Sequence, residues 1–246
     1  MIISSNKYER HLIIHAQREI VTAQMDDNSV DLVLEDPPFG VREEEWDDEE
    51  HFVSKVGEWL NSALRISKHA VIWFCASRMM PHIFNHIRGE ETLLRRVHIW
   101  EKPEGSQYAG ASNNNIWFSM EPILVFSKDW DVTKKYGQNM PYAYDIFKYR
   151  TTPHKLYKHP TSKPVPLIRK LMGHYSGSDE TIFDGFAGSF SMAVAGADMG
   201  RRTMSVEQSD EHFFNGKQRL ERHLSEPKLF VGEDEAKEYE MTMEMF

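Results

Sequence analysis

Short apolar runs recur along this chain, and stretches with apolar residues at helical spacing separate most of them. Such runs, bounded by turn-forming residues, are typical of buried strands. They predict strands at Leu12–Ile14, Val30–Leu34, Val71–Phe74, Val97–Trp100, Ile123–Phe126, Thr181–Phe183 and Thr203–Val206. Helical spacing predicts helices at Glu19–Gln24, Glu49–Ile66, Val165–Tyr175, Met192–Met199 and Asp210–Leu224. This alternation predicts an α/β fold in which helices cover both faces of a mostly parallel sheet.

Length and composition limit the number of domains and argue against a membrane span. The 246 residues suit either a single α/β domain that carries an insertion or one and a half small domains. Neither an apolar run long enough to span a bilayer nor a secretory signal is visible. The single cysteine, Cys75, lies in an apolar run and indicates a reducing compartment without disulfides. We therefore expect a cytoplasmic protein with no membrane partner.

Charge is distributed unevenly along the chain, whose net charge is −9. Residues 26–58 carry 13 acidic and two basic side chains, whereas residues 128–170 carry ten Lys and Arg against three Asp. Aromatic residues are interspersed in the basic stretch, as in surfaces that contact phosphate groups. An ordinary solvated loop is the alternative interpretation.

The most distinctive motif is Asp36-Pro37-Pro38-Phe39, directly after the predicted strand Val30–Leu34. Proline lacks an N–H, so two prolines end the strand and leave its last carbonyls free to accept other hydrogen bonds. A carboxylate at one end and a flat ring at the other suit a planar group that carries an amino nitrogen, such as a nucleobase. A plain Asp-Pro turn is the alternative.

A second motif follows the predicted strand Thr181–Phe183. The turn Asp184-Gly185-Phe186-Ala187-Gly188-Ser189 leads into a helix that begins near Ser191. Glycine lets the backbone approach a ligand, and the helix N-terminus offers unpaired N–H groups. Glu207 ends the next strand, where an acidic residue can bind ribose hydroxyls. Together these features favour a cofactor that contains a nucleoside, although Glu207 also fits a helix N-terminal charge.

Three segments together resemble the amino-directed DNA methyltransferases, which use S-adenosylmethionine to methylate adenine N6 or cytosine N4. Residues 28–39 resemble the family's catalytic segment, and residues 183–189 resemble its cofactor turn. The run His159-Pro160-Thr161-Ser162-Lys163-Pro164 is similar to the stretch before that turn. Residues 99–103 and 120–126 also look like the strands that precede the family's target-recognition insert. A catalytic segment that precedes the cofactor turn is the order of the family's β group.

The resemblance implies a Rossmann-like methyltransferase sheet, S-adenosylmethionine as the cofactor and double-stranded DNA as the partner. It assigns catalysis to Asp36, Pro37, Pro38 and Phe39. The Asp36 carboxylate and the Pro37 carbonyl would accept the amino N–H groups of a flipped base, and Phe39 would stack on that base. The cofactor residues it implies are Gln17, Asp36, Lys163, Asp184, Phe186, Ala187, Gly188 and Glu207. Among these, Gln17 would contact the adenine amino group, Lys163 would lie near the methionine carboxylate, and Glu207 would bind the ribose.

The same resemblance divides the chain into four segments. These are a catalytic half at residues 1–126, a target-recognition insert at 127–158, a cofactor-binding half at 159–225 and an acidic, disorder-prone tail at 226–246. The candidate DNA contacts are Lys134, Lys135, Lys148, Arg150, Lys155 and Lys158. No metal is expected, because the histidines are scattered along the sequence and only the pair His82 and His86, at i and i+4, suggests a metal site. A homodimer is left open, and a bacterial or phage-encoded restriction-modification enzyme is the expected setting.

Two points in the motifs bear on activity. Asp at the head of the catalytic segment favours adenine N6, by the family's empirical preference, and cytosine N4 is the alternative target. The cofactor turn departs from the family pattern Asp-Pro-Phe-x-Gly-x-Gly-Thr-Thr at Gly185, Phe190, Ser191 and Met192. Because Phe190 is bulky where the backbone passes the cofactor, an inactive DNA-binding or cofactor-binding relative is the second hypothesis. An acidic mimic of DNA, or methylation of RNA or of a protein amide, are the remaining alternatives.

Overall fold

The computed structural model describes residues 4–38, 49–87, 93–106, 118–128, 136, 144–153 and 161–226. Nine strands in these residues form one sheet, in the order β1-β2-β9-β8-β3-β4-β6-β5-β7. Their bounds are β1 Ser4–Tyr8, β2 His11–His15, β3 Val30–Glu35, β4 Ser67–Phe74, β5 Leu94–Ser106, β6 Phe118–Phe126, β7 Ile146–Lys148, β8 Thr181–Asp184 and β9 Arg202–Glu207.

Six α-helices and one 3-10 turn connect the strands in the described residues. The helices are α1 Arg18–Thr22, α2 Glu49–Ile66, α3 Met80–His86, α4 Val165–Tyr175, α5 Ser191–Asp198 and α6 Asp210–Ser225, and the 3-10 turn is Ser77–Met79. The Ser209 hydroxyl caps α6 by accepting the N–H of His212 at 3.3 Å, and Asp210 and Glu211 complement the helix dipole. None of the described helices is long and apolar enough to cross a membrane.

The centre of the sheet contains a topological switch point. Five of the eight strand pairings are parallel, and β3 and β8 lie side by side among them. From β8 the chain proceeds to β9 on one side, whereas from β3 it proceeds to β4 on the other. Open α/β sheets bind ligands at such a point, beyond the carboxyl ends of the strands.

Alternate residues of β3 enter two separate cores, because successive side chains of a strand point to opposite faces. Val33 packs in one cluster with Phe52 and Leu60 of α2. Leu32 and Leu34 pack in the other cluster with α4 and α5. Helices therefore cover both faces of the sheet, and the end of β3 is held from both sides.

The α/β fold and all seven predicted strands are confirmed, and the predicted bounds of α2 and α4 match those observed. Four elements were not predicted: β1, β7, α3 and the 3-10 turn Ser77–Met79. β1 is a mostly exposed polar edge strand, and β7 has three residues of which only Phe147 is buried, so neither produces an apolar run. β7 lies within the segment 127–158, the predicted target-recognition insert, and pairs with β5 at the sheet edge.

Candidate active site

The predicted catalytic segment begins directly after β3, at the switch point of the sheet. Pro37 is buried and Pro38 is half-buried, whereas Phe39 lies outside the described residues. Because proline restricts φ and cannot donate a ladder hydrogen bond, the two prolines direct the chain out of the sheet at this edge. The carboxyl group of Asp36 is thereby held next to the carboxyl ends of the central strands.

The two oxygens of Asp36 have different surroundings. Oδ2 accepts the ammonium of Lys163 at 2.6 Å. Oδ1 is buried and accepts no hydrogen bond from any described residue. An unsatisfied buried acceptor costs about 1–3 kcal/mol. Asp36 therefore has one oxygen held by the protein and one that can accept an N–H from a bound molecule.

Lys163 belongs to a buried row of alternating charges. Its ammonium lies 3.2 Å from Glu121 Oε1, and the other oxygen of Glu121 lies 2.9 Å from the ammonium of Lys102. Aromatic rings flank the row, with Lys163 Nζ 5.2 Å from the centre of the Phe74 ring and Lys102 Nζ 4.5 Å from that of Trp100. Such cation–π contacts help to stabilise buried ammonium groups.

Burial and the row of charges shift three pKa values. The pKa of Asp36 is raised to about 6, because burial and the charge of Glu121 raise it by more than Lys163 and Lys102 lower it. Burial opposes the charged form of Lys163, but Asp36 and Glu121 outweigh it and raise the lysine pKa. Burial also opposes ionisation of Glu121, yet the two lysines lower its pKa. A carboxylate with a pKa near neutrality can accept a hydrogen bond at physiological pH and exchange a proton there.

Asp184 ends β8, the central neighbour of β3. Its Oδ1 accepts the N–H of Phe186 at 3.1 Å, whereas Oδ2 is buried and accepts no hydrogen bond from the described residues. Burial raises the pKa of Asp184 well above its usual value, and the charges of Glu35, Asp36 and Glu207 raise it further. The carboxylates of three strand ends thus converge at the switch point, and this arrangement favours a cationic ligand.

The turn after Asp184 is tied to Glu207 at the end of β9. The carboxylate of Glu207 accepts the N–H of Gly188 at 2.7 Å and that of Ser209 at 2.7 Å. Gly188 has a φ of +47°, a conformation in which a side chain is disfavoured. Each carboxylate oxygen retains a lone pair beyond these bonds, so Glu207 can still accept from ribose hydroxyls.

Phe186 and Gly185 pack against a buried ion pair. The Arg18 guanidinium lies 5.4 Å from the centre of the Phe186 ring and pairs with Glu35 at 2.8 Å. A Cβ atom at position 185 would lie 2.6 Å from the side chain of Arg18. The glycine found where the related family has proline is therefore explained by the space that Arg18 occupies.

The ring of Phe190 points into the core behind the turn. Phe190 is fully buried in a cluster with Ile13, Val194 and Phe213, and its ring lies 6.0 Å from that of Phe213, edge to face. A Cβ atom at Gly216 of α6 would lie 1.9 Å from the Phe190 ring, so the missing side chain of Gly216 makes room for the ring. The backbone of Phe190 is left-handed, with φ +59°. The residue keeps the backbone form that glycine adopts easily while its side chain fills the space between β2 and the last two helices.

The structure also describes Gln17, predicted to bind the cofactor, and Lys148 and Arg150, predicted to contact DNA. Gln17 is exposed at the N-cap of α1, and its side chain makes no capping bond. Lys148 is 67% exposed and lies 3.2 Å from Glu101, and Arg150 is also exposed. The remaining predicted DNA contacts, Lys134, Lys135, Lys155 and Lys158, lie outside the described residues.

One cluster in the described residues has side chains of metal-binding type. Asp31, His69 and Glu180 offer ligand atoms within 4.8 Å of one another. Asp31 lies near the start of β3 and Glu180 directly precedes β8, so this cluster lies at the opposite edge of the sheet from the candidate active site. Asp31 already contacts Lys68, and Glu180 accepts the hydroxyl of Tyr136 at 2.8 Å. This engagement gives no reason to assign an ion to the cluster, and the absence of a metal stays a prediction.

Comparison with known proteins agrees with this geometry. A family model described as DNA methylase, of the N6/N4 type, matches residues 30–239. The chain belongs to the N6/N4 DNA methylase family. The match includes the Asp36 segment and the Asp184 turn, so the resemblance inferred from the motifs is confirmed, and S-adenosylmethionine is the cofactor.

Individual relatives are more distant. The chain is 25% identical to the DNA adenine methyltransferase YhdJ of Escherichia coli, over 90% of this chain and 87% of the relative. It is 23% identical to the type II methyltransferase M2.MboI of Moraxella bovis, over 78% and 81%. Among solved structures, the cytosine-N4-specific PvuII DNA methyltransferase has a TM-score of 0.72 at 14% identity, covering 97% of this chain and 94% of that protein. At this identity the likeness shows the fold.

The residues at the switch point fit this cofactor. S-adenosylmethionine carries positive charge on its sulfonium and its amino group, and the buried Oδ2 of Asp184 is an acceptor that no described residue uses. Glu207 and the glycine turn stand where a ribose is bound in this class of sheet. Which atoms of the cofactor each predicted residue contacts stays a prediction, including the assignment of Lys163 to the methionine carboxylate.

Sequence reasoning missed two pairs of residues at the site. Glu121 and Lys102 lie in segments that were recognised as family-like strands, but neither was assigned a role. Arg18 and Glu35, which form the pair beneath Phe186, were not singled out. A charged residue within an apolar strand was the available signal, since isolated charges are rarely buried without a partner.

Proposed function

We propose that this DNA methyltransferase transfers a methyl group to the N6 amine of adenine in double-stranded DNA, with Asp36 as the catalytic carboxylate. The observation that carries the proposal is the asymmetry of Asp36, which has Oδ2 held by Lys163 and Oδ1 left as a buried acceptor. That oxygen and the Pro37 carbonyl would accept the two N–H groups of the amine. Because an amine lies within a base pair in a duplex, the base must be flipped out, at a cost of about a few kcal/mol.

These two hydrogen bonds promote the reaction by changing the amine. An exocyclic amine is a weak nucleophile because its lone pair is delocalised into the ring. Acceptors on both N–H groups favour a pyramidal nitrogen, whose lone pair then attacks the methyl carbon that S-adenosylmethionine supplies. S-adenosylmethionine would supply this carbon: as the new carbon–nitrogen bond formed, the carbon–sulfur bond would break and its electron pair would remain on sulfur. The amine is left with an extra proton, which a carboxylate with a pKa of about 6 can accept.

The choice of adenine rests on two observations. Asp rather than Ser begins the catalytic segment, and a relative that is 25% identical over 90% of this chain is named as a DNA adenine methyltransferase. Cytosine N4 is the second candidate, because both bases present a planar amine and the fold is shared with a cytosine-N4-specific enzyme. The Asp36 geometry by itself serves either base.

Contact with DNA phosphates is proposed for the basic segment of residues 128–170. Lys148 and Arg150 support this, since both are exposed next to β7, and Lys148 contacts Glu101, the neighbour of Lys102. Their position links the basic segment to the edge of the sheet that holds the row of charges. The target sequence depends on base-edge contacts by a few side chains.

The test is methyl transfer to unmethylated duplex DNA, followed by digestion and mass spectrometry of the nucleosides. We expect N6-methyldeoxyadenosine from the wild type, and a loss of at least about 100-fold in Asp36→Asn, whose amide is a poorer acceptor. Asp179→Asn is the control, because Asp179 is a surface carboxylate that pairs with Arg10. N4-methyldeoxycytidine would replace the adenine assignment, and full activity of Asp36→Asn would refute the role of Asp36.

A further inference from the structure

The buried row of charges extends beyond the two residues that touch the reacting groups. Asp36, Lys163, Glu121 and Lys102 alternate in sign, with successive contacts of 2.6, 3.2 and 2.9 Å. Glu121 is 8% exposed and Lys163 is 4% exposed, so solvent screens these contacts weakly. A buried charge is expensive unless it is paired, so a row of four in one place requires an explanation.

The row joins three separate parts of the chain at the carboxyl edge of the sheet. Lys102 lies on β5 and Glu121 on β6, where Glu121 stands opposite Trp100 in the strand pairing. Lys163 immediately precedes Pro164, the N-cap residue of α4. Glu121 is held in the antiparallel pairing of β5 and β6, and Lys102 directly follows the regular pair Glu101–Met120. These two residues therefore form a support on which the side chain of Lys163 is positioned.

The ammonium of Lys163 contacts two carboxylates, and the two contacts differ in length. It is closer to Asp36 than to Glu121, and Lys102 compensates the far side of Glu121. If the Glu121 charge were removed, Lys163 would interact more strongly with Asp36, and the carboxylate would become a weaker acceptor. If Lys102 were removed, Glu121 would compete more strongly for Lys163, and Asp36 would become a stronger base.

We propose that Glu121 and Lys102 are positioning residues that set how strongly Lys163 holds Asp36, and thereby leave Asp36 Oδ1 directed at the amine. The inference rests on the proposed function, because it assigns this task to the catalytic carboxylate. Neither residue is placed in contact with the base or the cofactor. They act on Asp36 through their contacts in the row with Lys163 and through their own charges.

The pKa of Asp36 distinguishes a positioning role from a merely structural one. A structural role would not shift this pKa in opposite directions when Glu121 and Lys102 lose their charges. The charged or titratable groups that act on Asp36 come from five surrounding elements. They are Lys163 before α4, Glu121 on β6, Lys102 on β5, Asp184 at the end of β8 and the thiol of Cys75 after β4. Among these, Glu121 raises the pKa of Asp36 and Lys102 lowers it, so removing the two charges should have opposite effects.

The experiment measures the Asp36 pKa by carbon-13 NMR in protein labelled at the aspartate carboxyl groups. The signal is assigned by its absence from Asp36→Asn. We expect Glu121→Gln to lower the pKa by about one unit and Lys102→Met to raise it by a comparable amount, as for charges within a few ångströms. The double variant should return close to the wild-type value, because it removes one charge of each sign. Shifts in the same direction, or no shift in either single variant, would overturn the proposal.

Activity provides an independent measurement on the same proteins. The acid limb of the pH–rate profile should move with the NMR pKa, downward in Glu121→Gln and upward in Lys102→Met. In Glu121→Gln we expect kcat on the alkaline plateau to fall about tenfold, while the Kd for S-adenosylmethionine stays within about threefold. A fall in cofactor affinity of the same size as the fall in kcat would refute an action through Asp36.

The NMR titration and the activity measurements distinguish a failure of this inference from a failure of the proposed function. If the wild type transfers no methyl group to any DNA, the proposed function fails, yet the NMR titration still decides whether the row controls Asp36. If the wild type is active and the titration pattern is absent, the function stands and the inference fails. Should Glu121→Gln not fold, Lys102→Met retains the buried carboxylate and still tests the predicted direction.

Discussion

Substitutions at Phe190 test whether its ring obstructs the cofactor or, as we interpret the structure, packs into the core behind the cofactor turn. The ring is fully buried, and losing such a ring usually costs about 3–5 kcal/mol. The backbone at this position is left-handed, with φ +59°, which costs a residue other than glycine about 1–2 kcal/mol. Phe190→Gly loses the packing but relieves the strain, so we expect a net destabilisation of about 1–4 kcal/mol.

Phe190→Ala is the matched control, because it loses the same packing and keeps the strain. We therefore expect the alanine variant to be about 1 kcal/mol less stable than the glycine variant, the reverse of the usual order inside a helix or strand. For a protein of this size, 1 kcal/mol corresponds to roughly 2–4 °C in Tm. Denaturant titrations with an unchanged slope would measure the difference as a shift of the midpoint.

Cofactor affinity completes the test. Because the ring packs against Phe213 and Gly216 and not toward Asp184, we expect Phe190→Gly to bind S-adenosylmethionine within about threefold of the wild type. A glycine variant that binds tenfold more tightly without losing stability would show that the ring obstructs the cofactor. A glycine variant less stable than the alanine variant would refute the argument from strain.

Three further predictions follow from the site and its surroundings. Methyl transfer should decline as the pH falls through about 6, where Asp36 takes up a proton. Because this pKa is raised from the usual 3.8, the native state binds more protons at Asp36 than the unfolded state between these values. The contribution of Asp36 to the free energy of unfolding should therefore decrease as the pH rises across that window, as denaturant titrations of the wild type and Asp36→Asn at several pH values would show. Arg18→Met should destabilise the protein by about 3–5 kcal/mol, because it leaves the buried carboxylate of Glu35 without its cation, and adding Glu35→Leu should recover part of the loss in the same unfolding assay. Lys148→Gln should weaken binding to all duplex sequences alike, and in a binding titration against salt it should reduce the slope of log K against log salt concentration by about one. Lys68→Gln, at the opposite edge of the sheet, should leave both the affinity and the slope unchanged.

Much of the fold could be read from local patterns. A buried parallel strand is a short apolar run, so β3, β8 and β9 were predictable from the local sequence pattern alone. The apolar residues of α2 repeat at helical spacing, and its bounds could be predicted for the same reason. β1 and β7 could not be found in this way, because edge strands with exposed side chains are stabilised by pairing with a neighbour and not by an apolar run of their own.

The sequence by itself determined which chemistry this chain can carry, and the tertiary structure decided how the groups are combined. The order of motifs identified the family, since Asp36-Pro37-Pro38 and the turn at Asp184 are local signals whose residue types are dictated by backbone geometry. The burial of Phe190 against Gly216, and the row that links Asp36 to Lys102 through Lys163 and Glu121, depend on residues far apart in the chain. Charge pairing and core packing act through distance in space, and only the folded sheet brings these side chains within a few ångströms of one another.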